Sequence, residues 1–303
     1  MAGSPARYAS DPEIRDCQQM SLADFAAQEG LKRVGARPPF GVYLAEVWRR
    51  RQFIYSLAKF RIESENQRNR LGMGWVVLKP TLNALVYGLI FGFLMAGSRP
   101  PNFVQFIVIG IFMFEFFSTT FSNGARSITS NNALVQSLSF PRMALPLSAV
   151  TQHFLQFLPS VAIMLILNLI MGSTPKWHWI LLVPLIALYF MFNAGVALIT
   201  ARLTVHFRDL SQLLPFVTRV AFYTSGVFFS IERVAPNNET VLRIFDFIPL
   251  HEFMSIARGL LIEGPGYDVD PMYWLYATVW SVLLLGIGAF YFWAAEERYG
   301  RND

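Results

Sequence analysis

Three ionisable residues, Lys79, Glu115 and Arg219, sit inside runs that are otherwise apolar enough to be read as membrane spans. A charge at that depth is costly and faces protein or water rather than lipid, so each is a candidate functional group. Lys79 lies within about one turn of the predicted inner boundary, where it either snorkels to the surface or meets a ligand. Glu115 and Arg219 lie deeper and either pair across the second and fifth spans or face a polar conduit. Many rings accompany them: Tyr87, Phe91 and Phe93 in the first run, Phe112, Phe114, Phe116 and Phe117 in the second, Phe222, Tyr223, Phe228 and Phe229 in the fifth. Most such rings serve packing, yet the C–H faces of a sugar stack on aromatics while its hydroxyls seek polar partners. The fifth run mixes Thr218, Arg219, Tyr223, Thr224 and Ser225 with its rings and is expected to line a path. The expected path residues are Tyr87, Phe91, Glu115, Phe116, Arg219, Phe222 and Tyr223.

Other chemistry finds little support. No Gly-x-x-x-x-Gly-Lys-Ser/Thr occurs, so ATP-driven work needs another subunit to hold ATP and Mg. The four histidines, His153, His178, His206 and His251, are far apart and none sits in a His-Glu-x-x-His pattern; neither a metal site nor any cofactor in this chain is expected. There is no Gly-x-Ser-x-Gly elbow and no carboxylate pair within a span, which argues against an enzyme. A single cysteine, Cys17, rules out an internal disulfide framework. The net charge of +5 comes from basic residues gathered on the predicted cytoplasmic side, where anionic lipid rather than nucleic acid is the partner.

The elements that must position these groups are helices. Of 303 residues, 54% are hydrophobic and only 15% charged, against about 25% charged in ordinary soluble domains. A hydrocarbon core of about 30 Å takes about 20 apolar residues to cross. Runs of that kind cover about 74–96, 103–120, 140–171 (opened by Phe140-Pro141-Arg142-Met143-Ala144-Leu145-Pro146), 179–200, 213–231 and 272–294. The fold class is therefore all-α, a polytopic membrane protein with six spans. Residues 1–39 lack an apolar h-region and read as a mobile cytoplasmic tail with one short helix near 22–28. Residues 40–70 read as an amphipathic helix: Leu44, Val47, Trp48, Ile54, Tyr55, Ala58 and Ile62 form one stripe, while Arg49, Arg50, Arg51, Lys59 and Arg61 make it basic. Such a helix is expected in the inner headgroup layer. Between 232 and 271 the apolar pieces are too short to cross and read as re-entrant helices, and 295–303 form a polar tail.

Orientation follows from charge. The inner segments hold the cluster from Arg49 to Arg70 with Arg126, Arg142, Arg202, Arg208, Arg298 and Arg301, whereas the two short outer loops hold only Arg99 and Lys176. Six crossings put both termini in the cytoplasm. The two halves carry no internal repeat, which argues against an inverted-repeat secondary transporter.

Several stretches resemble the permease subunits of ABC-type polysaccharide exporters, those of O-antigen, capsule, teichoic acid and mycobacterial galactan. They are Arg70-Leu71-Gly72, Trp75 and Pro80 at the first span; Asn131-Asn132-Ala133-Leu134, Phe140-Pro141-Arg142 and Leu145-Pro146 before the third; Phe207-Arg208-Asp209-Leu210 before the fifth; and Ile248-Pro249-Leu250 with Arg258. The chain departs from that family's pattern at Met73, Lys79, Gly226 and Ile248, where proline, glutamine, proline and asparagine are common. The resemblance covers 40–294, within which 71–294 would be the transmembrane domain.

It implies a homodimer that forms a pore in the cytoplasmic membrane of a bacterium, two cytoplasmic ATPase subunits, and export of a lipid-linked polysaccharide. It places the coupling segment at 124–142, with Asn131, Asn132, Pro141 and Arg142 meeting the ATPase, and the external re-entrant segment at 232–271. The cluster Arg49, Arg50, Arg51, Lys59 and Arg61 would lie beside the pyrophosphate of a polyprenyl carrier. The Gly226-containing variant leans toward a galactan-type exporter. Two alternatives stay open, an ABC-2 permease for lipids or drugs and a membrane-embedded transferase acting on polyprenyl lipids.

Overall fold

A computed structural model describes residues 38–66, 70–72, 74–94, 102–138, 140–207, 209–229 and 239–296. The expectations for the N-terminal tail, Cys17, Arg99, Arg208, Arg298 and Arg301 lie outside these residues. The described residues are helical, with turns between and no strand among them. Among the described residues five helices are long and apolar enough to cross a membrane: α3 (Gly74–Leu94), α4 (Phe103–Arg126), α6 (Ala144–Ile170), the 3-10 turn and α7 that together run Trp177–His206, and α11 (Met272–Trp293). Their core is α4, 72% of whose apolar window is buried against 17% for α3. The second run therefore supplies the axis of the bundle and the first is an outer helix.

The expected single helix over 40–70 is two, α1 (Phe40–Arg49) and α2 (Arg51–Asn66), broken at Arg50. Tyr43, Val47, Ile54, Ala58 and Ile62 are buried, at spacings of four and seven that keep one face on the bundle. Leu44, Trp48 and Tyr55, placed on that stripe by sequence, are exposed instead. The break lets α1 lie against α11, where Phe40 meets Trp293 at 5.4 Å, while α2 packs on α6.

The second span outlasts its apolar run: it stays helical to Arg126 because Phe121, Gly124 and Ala125 continue its buried stripe. The segment that follows holds a 3-10 turn (Thr129–Asn131) and the short α5 (Asn132–Ser137). Helices α7 and α11 cross at Gly195 and Gly288, where a Cβ on Gly195 would lie 2.4 Å from the Leu284 carbonyl carbon. Small residues at such a crossing let two backbones touch, the main source of helix attraction in lipid.

The fifth run departs most from expectation. Its helix α8 (Leu210–Thr224) has 15 residues, about 22 Å, and does not reach Ile231. Gly226 adopts φ 70°, a conformation open to glycine, and turns Val227 and Phe228 back into the core. Among the described residues that follow are two short helices, α9 (Glu239–Asp246) and α10 (Pro249–Leu261), the second wedged among α4, α7 and α11.

Hydrogen bonds define the two ends of the bundle. At one, Arg126 donates to the Ser211 carbonyl (3.0 Å), and Arg142 and Arg202 bond the end of α11. At the other, the Glu263 carbonyl accepts from Asn102 (2.8 Å) and its carboxylate meets Lys176 (3.3 Å).

Candidate functional site: a polar cavity inside the bundle

Helices α2, α3, α4 and α6 enclose a cavity of about 400 Å³. Lys79 and Pro80 reach it from α3, Glu115, Phe116, Thr119 and Asn123 from α4, His153, Gln156, Phe157 and Ser160 from α6, and Glu65 from the end of α2. Steps of three and four put the α4 and α6 sets each on one helix face, and do the same on α3 once Trp75 and Val76, which also line the cavity, are counted with Lys79 and Pro80. Glu65, Lys79 and Asn123 are exposed and mark the mouth, whereas Phe112, Phe116, Phe157 and Ser160 are buried and form the floor.

A hydrogen-bonded chain runs along one wall. The Asn123 amide donates to His153 Nε2 (2.8 Å), which leaves the proton on Nδ1 to bond Gln156 Oε1 (2.9 Å). Gln152 donates to Glu65 Oε1 (2.8 Å) and Gln156 to Glu65 Oε2 (3.4 Å). Polar groups linked in this way, with Gln152 and His153 buried among them, hold one another in place. At the floor Phe116 stacks on Phe157 at 5.0 Å and 9°, each ring covering a face of the other.

The cavity brings together two of the three intramembrane charges. Lys79 is the charge that acts on Glu115, and no ion pair closes between them among the described residues. Pairing of Glu115 with Arg219 is not found: Arg219 is exposed on α8, between Phe216, Val220 and Tyr223, which are exposed too.

The expected path residues separate into three places. Glu115 and Phe116 line the cavity. Tyr87, Phe91 and Phe222 gather round Phe228, with Phe91 stacked on it at 4.0 Å. Arg219 and Tyr223 face outward.

The basic cluster divides as well. Arg49, Arg50, Arg51 and Lys59 are exposed, Arg50 near Glu46 (3.8 Å), Lys59 near Glu63 (3.9 Å) and Arg51 over the Trp48 ring. Arg61 turns inward; burial lowers its pKa although Glu65 pulls the other way, and its Nη2 has no hydrogen bond among the described residues. Of the expected coupling residues, Asn131 donates its side-chain amide back to the Ser127 carbonyl (2.7 Å) and Asn132 is exposed. Pro141 is buried, and Arg142 is bound to Glu296 through its backbone N–H (3.0 Å) and its guanidinium.

Glu296 is a residue that sequence reasoning passed over as part of a polar tail. Its other oxygen accepts from the Tyr43 hydroxyl (2.7 Å), and the Met143 N–H donates to that hydroxyl (3.1 Å). One carboxylate thereby ties α1, the start of α6 and the end of α11. Burial raises its pKa in spite of these bonds. Gln152, His153 and Gln156 were missed for a similar reason. They stand within an otherwise apolar run, and the signal lay in their shared face at i, i+1 and i+4.

A buried arginine closes the opposite end. Arg258 lies 3.4 Å over the Phe106 ring and donates to the carbonyls of Gly226 (3.0 Å), Val227 (3.0 Å) and Phe106 (3.3 Å). Gly110 makes room for it, since a Cβ there would lie 2.6 Å from its Nη2.

Comparison with known proteins gives this arrangement a family. The chain is 27% identical over 257 residues to the O-antigen export system permease protein RfbA of Myxococcus xanthus, covering 85% of this chain and 97% of the relative. It is 28% identical over 219 residues to the RfbA of Klebsiella pneumoniae (72% and 83%). It is 23% identical over 234 residues to the polysialic acid transport protein KpsM of Escherichia coli (75% and 87%). The ABC-2 type transporter family model matches residues 53–262, from α2 through α10 and so across every wall of the cavity; the chain belongs to the ABC-2 type transporter membrane family.

Proposed function

We propose that the chain is the permease subunit of an exporter of lipid-linked polysaccharide, working as a homodimer with two cytoplasmic ATPase subunits that bind ATP and Mg. Relatives that export O-antigen or transport polysialic acid support the cargo class and make an O-antigen-like glycan the first candidate; a galactan is a candidate on the Gly226 resemblance alone. The absence of a phosphate-cradling loop in the sequence assigns ATP hydrolysis to separate chains.

Six crossings fit the course of α8. It starts beside Arg126 at the basic end, and the turn after it reaches Phe106 and Gly110 near the other end. The break at Gly226 shortens the helix without returning the chain to its starting side. With the basic end inside, both termini are cytoplasmic. The exposed Arg49, Arg50 and Arg51 then lie at the inner headgroups, where a pyrophosphate carrier is attracted, and the segment from Asn131 to Arg142 is presented to the ATPase.

The observation that carries the homodimer is Arg219. A guanidinium on the exposed, otherwise apolar face of α8 cannot rest in lipid at modest cost, so this face meets water or a second copy. The test is oxidative cross-linking in native membranes of a Cys17→Ser chain carrying Tyr223→Cys. A disulfide-linked dimer is expected, together with glycan export that requires the ATPase; a strictly monomeric band refutes the shared passage.

A further inference from the structure

We infer that the cavity between α2, α3, α4 and α6 is a binding site, within each single subunit, for one uncharged sugar ring. The inference rests on the exporter reading and adds where a subunit grips its cargo. Size comes first: about 400 Å³ falls in the range of small-molecule sites and is too small for a length of polysaccharide. The chemistry of the walls comes next. The stacked pair Phe116 and Phe157 gives the floor an apolar aromatic surface for the C–H side of a ring, while Lys79, Glu115, Asn123 and Gln156 offer donors and acceptors to hydroxyls.

Charge then decides the class. The lining holds one cation, Lys79, against the carboxylates Glu65 and Glu115, which disfavours a phosphate or an acidic sugar. Among the described residues no group of three His, Cys, Asp or Glu is placed to hold a metal ion. Lys79 and Glu115 face one space without closing on each other, so both charges remain available for charge-assisted hydrogen bonds to a neutral polyol. The exposed mouth at Glu65, Lys79 and Asn123 lies toward the basic end. From there it meets the sugars next to a lipid anchor rather than the distal chain.

The experiment is saturation-transfer NMR on the permease–ATPase complex in lipid nanodiscs, with methyl β-D-galactopyranoside and methyl α-D-mannopyranoside as probes and galactose 1-phosphate as the charged counterpart. At least one neutral probe is expected to receive saturation, strongest on its ring C–H protons, and to bind better than the phosphate. The near-isosteric Glu115→Gln and, separately, Lys79→Met should each weaken that binding about tenfold or more, the scale of one charge-assisted hydrogen bond. Absence of binding by both neutral sugars, preference for the phosphate, or unchanged affinity in both variants overturns the inference. Export by the same complex separates the two readings. A complex that exports glycan but fails the binding test loses only the cavity site, whereas one that exports none loses the exporter reading whatever the cavity holds.

Discussion

Replacing Arg258 by Met isolates the one buried cation that joins the Gly226 turn to α4 and α10. The side chain is 3% exposed and supplies donors to three carbonyls, two of them at 3.0 Å. A buried acceptor left without its donor costs about 1–3 kcal/mol, so the two shorter bonds set a loss of about 2–6 kcal/mol. Burial pushes the guanidinium down to about 9, still charged at neutral pH, and Met relieves that desolvation and returns part of the loss. A net cost of about 2–3 kcal/mol is expected, and at about 1.4 kcal/mol per factor of ten the turn opens roughly 30- to 140-fold more often. Hydrogen exchange followed by mass spectrometry on peptides covering 222–229 reads this directly, with α2 peptides as an internal reference. Arg258→Lys should recover part of the protection, because one ammonium cannot reach three carbonyls as a planar fork does. Exchange within about threefold of the parent, or a rise shared equally by α2, refutes the view that Arg258 pins the turn.

Further outcomes follow from other contacts. Gly195→Leu drives a side chain into the Leu284 backbone, and is expected to lower the thermal midpoint in detergent steeply, whereas Gly286→Ala, at a glycine with open space around it, should leave it unchanged. Tyr43→Phe removes the acceptor of the Met143 N–H and a donor to Glu296, at a cost of about 1–3 kcal/mol. Glu296→Gln added to it should cost less than the sum of the two single changes, as measured by chemical denaturation. The Glu252 carboxylate is buried, has no hydrogen-bond partner among the described residues, and lies near Asp246, and burial raises its pKa to about 8. The folded state then binds a proton that the unfolded chain has released, so stability falls as pH rises from about 5 to 8. His251, lowered to about 4, acts the opposite way below about 6.5, which leaves pH 6.5–8 as the window in which Glu252→Gln should flatten the thermal-midpoint profile.

The sequence by itself determined that this is a helical membrane protein, because runs of apolar residues long enough to cross a bilayer declare themselves without any tertiary contact. It also singled out Lys79 and Glu115, since a charge in such a run is conspicuous whatever surrounds it. What surrounds them was decided by packing. Glu115 faces Lys79 rather than Arg219 because α4 is the central helix with α3 against it, and an outward-facing α8 puts Arg219 out of reach. The break at Gly226 was invisible in composition, because Val227 and Phe228 are as apolar as a continuing helix would be; it is the carbonyl-binding Arg258, more than thirty residues later, that holds the turn. Glu296 and the amides of α6 belong to the same class. A lone polar residue acquires its role only when another helix brings its partner, and that pairing is a property of the folded bundle rather than of any local run.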